Sequence, residues 1–212
     1  MADKLAIHGG PAAVAEGLEF RIWPEVTAED ETLVLASLRQ DQHAFGPHAS
    51  ALQTEFAAWN GNDHCFATNS GTAALHMCIA ACGISPGDEV ITPALSWTSS
   101  ASSILHHNAI PIFVDVDWDS MHIDPAAIEA AITERTRAIL VVHYWGVSCD
   151  MDPILDIASR HGLRVIEDAC QAVGATYKGR RTGTLGDVAA FSLNQNKNLT
   201  GGEGGLFVTN DE

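Results

Sequence analysis

The chain of 212 residues sets 11 Lys and Arg against 27 Asp and Glu, a formal charge of −16 with histidine neutral. So acidic a surface repels phosphate backbones and anionic lipid headgroups, which disfavours nucleic-acid and membrane-surface roles and leaves a small molecule as the better partner. With 46% apolar and 18% charged residues the composition can build a large core and excludes extensive disorder.

The first ten residues lack a charged segment followed by an apolar one, and the apolar runs fall short of the ~20 residues that span a bilayer. A cytoplasmic protein is expected. Five cysteines (Cys65, Cys78, Cys82, Cys149, Cys170) form an odd set with no C-x-x-C, which reads as reduced, mostly buried thiols. Ten histidines show no H-E-x-x-H and no paired Cys/His spacing, so no metal site is expected.

Residues 1–60 read as a helical N-terminal arm, with one helix over 27–40, where Leu33, Leu35 and Leu38 lie among acids, and another over 53–59. From residue 61 onward short β-branched runs alternate with helical patterns, the signature of stacked βαβ units. Strands are predicted at 65–68, 89–92, 111–115, 137–143, 163–167, 188–193 and 205–209, and helices at 72–82, 97–107, 125–132 and 153–161. Most strands are continuous apolar runs, as expected of a sheet covered on both faces. Asp124-Pro125 and Asp152-Pro153 each suggest a capping carboxylate before a proline in the first helical position. Gly83 and Gly162 suggest left-handed helix ends.

Three places could carry chemistry. After the first predicted strand come Asn69, Ser70, Gly71 and Thr72, opening a helix apolar nearly all round; free N–H groups at a helix start suit a phosphate, although Ser and Thr are also ordinary caps. No G-x-G-x-x-G and no P-loop occurs, which counts against dinucleotides and nucleoside triphosphates. Next, the apolar strand Val165-Ile166 ends in Glu167 and Asp168, and carboxyl ends of strands open onto the ligand crevice of a doubly wound sheet. Capping of the following turn is the competing account. Last, Lys197 sits between two strands among Asn194, Asn196, Asn198, Gly201 and Gly202. It is one of three lysines in the chain, with Lys4 and Lys178. A solvated loop lysine is the plain reading; beside a phosphate site and an aspartate it has the parts to condense with an aldehyde.

Ser70-Gly71-Thr72-Ala73-Ala74, Pro93-Ala94-Leu95-Ser96-Trp97, Glu167-Asp168-Ala169-Cys170-Gln171-Ala172, and Phe191-Ser192 through Lys197 to Gly202-Glu203-Gly204-Gly205 resemble, in order and spacing, the DegT/DnrJ/EryC1/StrS family. The resemblance extends from about Trp23-Pro24 to the last residue. It implies a pyridoxal 5′-phosphate-dependent aminotransferase with the α/β, aspartate aminotransferase-like (fold type I) large domain, a seven-stranded mostly parallel sheet between helices. It implies that Lys197 holds the cofactor and shuttles a proton, and that Asp168 faces the pyridine nitrogen. Gln171 would stand near the phenolic oxygen, Gly71 and Thr72 would cradle the phosphate with Ser192 adding a hydroxyl, and Trp97 would stack on the ring; Ser70 and Asn194 complete the cofactor-binding set. Two positions depart from the pattern. Cys170 stands where many relatives carry alanine, and Asn194 where sugar-modifying relatives often carry histidine.

The same resemblance implies an amino acid donor and a keto-cyclitol or keto-sugar acceptor, in secondary metabolism of the antibiotic-forming kind. The opening Leu5 to Pro11 with Trp23-Pro24 leans toward the aminocyclitol branch, while a 3-amino-5-hydroxybenzoate synthase-like enzyme and a non-catalytic cofactor-binding half-subunit stay open. Lys197 argues against the sugar 3-dehydratases, which carry histidine there. Residues 61–212 are expected to form the cofactor-binding large domain. The smaller C-terminal domain of family members is absent from these residues, and a second polypeptide is expected to supply it, in an oligomer with sites at the interface and two copies of each chain.

Overall fold

The computed structural model describes residues 4–11, 14, 17, 23–40 and 46–212. In chain order the elements are α1 (Ala28–Leu38), α2 (Pro47–Asn60), β1 (His64–Thr68), α3 (Gly71–Ala81), β2 (Glu89–Pro93), α4 (Ser99–His106), β3 (Ile110–Val114), α5 (Pro125–Ala131), β4 (Thr136–Val142), α6 (Met151–His161), β5 (Arg164–Asp168), β6 (Thr176–Tyr177), β7 (Arg180–Arg181), β8 (Val188–Ser192) and β9 (Gly205–Thr209). Seven strands form one sheet in the order β1-β9-β8-β5-β4-β2-β3. Only β9 runs against the rest, pairing antiparallel with β1 and β8. The other six therefore point the same way, and their carboxyl ends open on one edge.

Burial explains why these runs are strands. Every residue of β2, β8 and β9 is buried, so continuous apolar stretches are what a sheet covered on both faces requires. On one face α3 lays Ala74, Leu75, Cys78 and Ile79 against Leu140, Ile166, Ala190 and Phe207. On the other, Met151, Ile154, Ile157 and Ala158 of α6 meet Ile139, Val141 and Val165. Each large side chain so enclosed contributes about 1.5–3 kcal/mol. Helix α2 joins through Phe56, whose ring meets that of Phe191 edge-on at 5.0 Å. Helix α1 buries none of its residues and is held locally by a reciprocal cap between Thr27 and Asp30.

Every predicted strand is present, with ends moved by no more than one residue. Asp124 caps α5 through the amide of Ala126, as expected. The Asp152-Pro153 expectation is corrected: α6 begins at Met151 behind Asp150, so Pro153 is the third helical residue and Asp152 pairs with Lys178 instead. Helix α2 starts well before residue 53, because Gly46 and Pro47 open it ahead of its apolar stripe. The short hairpin of β6 and β7 was not foreseen. Its turn, Lys178-Gly179, takes φ of 49° and 83°, a left-handed pair that suits a two-residue hairpin.

All five cysteines are free thiols. Burial pushes Cys65 up to about 11 and Cys82 to about 12, which leaves them unreactive. Among the described residues no helix is long and apolar enough to cross a membrane, and no group of three or more His, Cys, Asp or Glu is placed to hold a metal ion.

Candidate functional site

At the carboxyl edge of the sheet Thr68, Gly205 and Ser192 lie in one row across β1, β9 and β8. Helix α3 begins directly above this row. A Cβ on Gly205 would fall 2.4 Å from the Ser70 carbonyl oxygen, and one on Gly71 would fall 2.8 Å from Cβ of Ser192. Glycine at both positions thus lets the start of α3 press onto the strand ends. Ser70 caps the helix, its Oγ accepting from the Ala73 amide at 3.1 Å. The amides of Gly71 and Thr72, first in the helix, have no acceptor within it. They present the positive end of the dipole of a buried helix.

A cavity of about 460 Å³ opens here, lined by Ser70, Gly71, Thr72, Trp97, Asp168, Gln171, Ser192, Asn194 and Lys197. All nine residues singled out from the sequence border this one space. Four come from loops or helix starts that follow β1 and β2; the rest come from the ends of β5 and β8 and the loops beyond them.

Asp168, the last residue of β5, is 5% exposed. Its Oδ2 accepts from the Ser100 hydroxyl at 2.7 Å and its Oδ1 from the Cys170 amide at 3.1 Å. The Gln171 carbonyl oxygen is occupied by the Trp145 amide at 2.9 Å, so its NH₂ group is the end left to donate. The Trp97 ring is 72% exposed and borders the cavity. Thr72 and Ser99 share a hydrogen bond of 2.7 Å, tying the start of α3 to the first turn of α4.

Lys197 lies in the loop between β8 and β9, half-buried. Its amide donates to the Asn194 carbonyl and its own carbonyl accepts from the Trp23 indole at 3.0 Å, so the backbone at the lysine is pinned from both sides. Asn194 braces the same loop: its Oδ1 accepts from the Asn196 amide and its Nδ2 donates to Glu203 at 2.8 Å. Among the described residues the Lys197 amine has no ion-pair partner. Burial near Asp168 pushes the Cys170 thiol far up, so it stands in the cavity wall as an unreactive group.

The cavity also includes Leu75, Ser99, Cys170, Asn196 and Glu203, and Ser100 stands just behind it. Sequence reasoning passed over Ser99 and Ser100. The hydroxyl-rich run Ser96 to Ser103 was the available signal, because a helix that buries serines must find partners for them.

The chain resembles known proteins over nearly all its length. It is 43% identical over 218 residues to an L-glutamine:2-deoxy-scyllo-inosose aminotransferase of Streptomyces lividus, a match covering 100% of this chain and 51% of the relative. It is 53% identical over 161 residues to a GDP-perosamine synthase of Caulobacter vibrioides, covering 76% of this chain and 43% of the relative. Among solved structures, an aminotransferase from Psychrobacter cryohalolentis superposes with a TM-score of 0.87 at 41% identity, covering 91% of this chain and 50% of that one. The chain spans about half the length of the curated relatives it matches. The DegT/DnrJ/EryC1/StrS aminotransferase family matches residues 24–212, and the chain belongs to that family.

Proposed function

We propose that the cavity holds pyridoxal 5′-phosphate and serves transfer of an amino group from an amino acid to a keto-cyclitol or keto-sugar. The observation that carries this reading is the convergence of a lysine, an aspartate and an open helix N-terminus on one cavity. The donor set suits the group: hydroxyls and helix amides for a phosphate, a carboxylate for a pyridine nitrogen, a primary amine for an aldehyde, an exposed indole for an aromatic ring. When bound, the cofactor supplies an electron-withdrawing ring that takes up the electron pair released as the donor's Cα loses its proton.

The chain's own residues do the rest. The amides of Gly71 and Thr72, with the hydroxyls of Ser70, Thr72 and Ser192, bind the phosphate. The Asp168 carboxylate sets a negative charge against the ring nitrogen and so favours its protonated form. Gln171 donates through its NH₂ group toward the phenolic oxygen. Trp97 covers a face of the ring and excludes water from it. Asn194 steadies the loop that brings Lys197 to the cavity. Lys197 would hold the cofactor's aldehyde carbon through its Nζ and, as a free amine, would carry a proton at that Nζ between the donor's Cα and the same carbon.

Residues 61–212 are then the cofactor-binding unit. The half of the relatives not spanned here would close the site. We infer an oligomer with sites at the interface; the 72% exposure of Trp97 and the 57% exposure of Phe113 support surfaces that a further subunit covers. Size-exclusion of a native, active preparation tests this: a fully active monomer would exclude it. The reaction is tested by following the visible spectrum of the loaded protein during addition of L-glutamine and then of a keto-cyclitol. Cycling between two bands is expected, and a spectrum unchanged by either addition would refute amino-group transfer.

A further inference from the structure

We propose that Ser100 is a positioning residue for the Asp168 carboxylate, with Ser96 behind it as the second member of a hydroxyl relay. The inference rests on the reading of Asp168 as the partner of the cofactor ring. Ser100 is 1% exposed and sits in the first turn of α4, yet its hydroxyl leaves its own helix to meet a residue 68 positions away. A carboxylate oxygen only accepts, so the Ser100 Oγ–H is the donor to Asp168 Oδ2. With its proton so committed, Ser100 must accept from Ser96, whose Oγ lies 2.7 Å away. The direction Ser96 to Ser100 to Asp168 is thereby fixed.

Two anchors hold the plane of the carboxylate, Ser100 on one oxygen and the Cys170 amide on the other. Removing Ser100 leaves one, and the group is free to turn about its Cβ–Cγ bond. The same turn of α4 is tied to the Trp97 carbonyl through the Ser100 amide at 3.2 Å. Ser99 in that turn reaches Thr72 at the start of α3. One short segment thus links the aromatic cover, the phosphate cradle and the carboxylate, and Ser100 is its link to the carboxylate.

The test loads the full chain with pyridoxal 5′-phosphate and reads affinity and visible circular dichroism per bound cofactor, which reports how the ring is held. Ser100→Ala is expected to weaken binding by about tenfold, the scale of one lost hydrogen bond to a charged group, and to lose most of the dichroism. Ser100→Thr keeps the hydroxyl and both properties, and Ser96→Ala gives a smaller loss in the same direction. In an Asp168→Asn background Ser100→Ala adds nothing further, as expected for two groups acting as one unit. Unchanged dichroism in Ser100→Ala, or an equal further loss in the Asp168→Asn background, overturns the inference and leaves the role of Asp168 standing. If Asp168→Asn itself alters neither property, the functional reading fails and the inference with it. Should Ser100→Ala not fold, Ser96→Ala decides, and wild-type dichroism there overturns the relay.

Discussion

Glu167 and Asp168 are neighbours on β5, and the pleat sends them to opposite faces of the sheet. Glu167, fully buried, accepts from the amides of Gly183, Leu185 and Gly186 at 2.8, 2.7 and 2.7 Å and from Nε2 of His143 at 2.8 Å. The Cys149 amide donates to Nδ1 of that histidine, so its proton sits on Nε2 and points at the carboxylate. Asp168 accepts two bonds and borders a cavity. With every acceptor site filled, a carboxylate fastens a loop; with sites open toward a cavity, it is available to a ligand. Both are acids at the carboxyl end of one strand, and the surroundings assign the work.

Substitutions on the cavity side are expected to remove activity with little cost in stability, and those on the closed side the reverse. The largest effect is expected at Lys197. Lys197→Ala should lower turnover by 10³-fold or more, on the order of a lost proton shuttle, and leave no cofactor attached after borohydride treatment and dialysis. Asp168→Asn should slow the donor half-reaction by about 10²–10³-fold in stopped-flow absorbance, the scale of a lost electrostatic contact with developing charge. Glu167→Ala should cost about 3–5 kcal/mol in urea unfolding, because it strands His143, the buried amides of Gly183 and Leu185 and the part-buried amide of Gly186. A larger stability loss in Asp168→Asn than in Glu167→Ala would break the comparison.

Acid should separate the two faces more finely. Burial alone would raise the Glu167 carboxyl, but the hydrogen bond from His143 and the amides of Gly186 and Gly183 outweigh it and hold the group below its ordinary value of 4.5. Its contribution to stability is therefore complete above pH 4.5 and lost as pH falls through the lower folded-state value. Wild type should show this slope in urea midpoints taken across the acid range, and Glu167→Gln should lack it. The smallest effect is expected at Arg160, which pairs with Glu129 and Asp156 on the exposed side of α6. Arg160→Ala should leave both the urea midpoint and the cofactor band where they are, since such surface pairs contribute little.

Much of this was legible in the sequence, and the reasons are physical. Apolar continuity located the strands, because a doubly covered sheet tolerates little else; β2, β8 and β9 are its plainest cases. Asp168 and Lys197 stood out because a carboxylate ending an apolar strand and a rare lysine in a glycine-rich loop are poor choices for packing alone. What the sequence hid depends on contacts between distant segments. Glu167 and Asp168 look alike in one dimension, and only the 183–186 loop and His143 distinguish them. Ser100 is one serine among several until α4 is laid against the end of β5. The start of α6 was misplaced because Asp152-Pro153 imitates a cap, while Asp150 instead accepts from the Tyr177 hydroxyl at 2.5 Å.

With only three lysines in these 212 residues, the point where the cofactor attaches can be read directly. The purified chain would be incubated with pyridoxal 5′-phosphate, reduced with borohydride, digested and mapped by mass spectrometry. A single reduced pyridoxyl label on Lys197 is expected, and it is lost when the lysine is replaced with Asp168 and the α3 cradle left intact. A label distributed over Lys4 and Lys178, or none on Lys197, would contradict it.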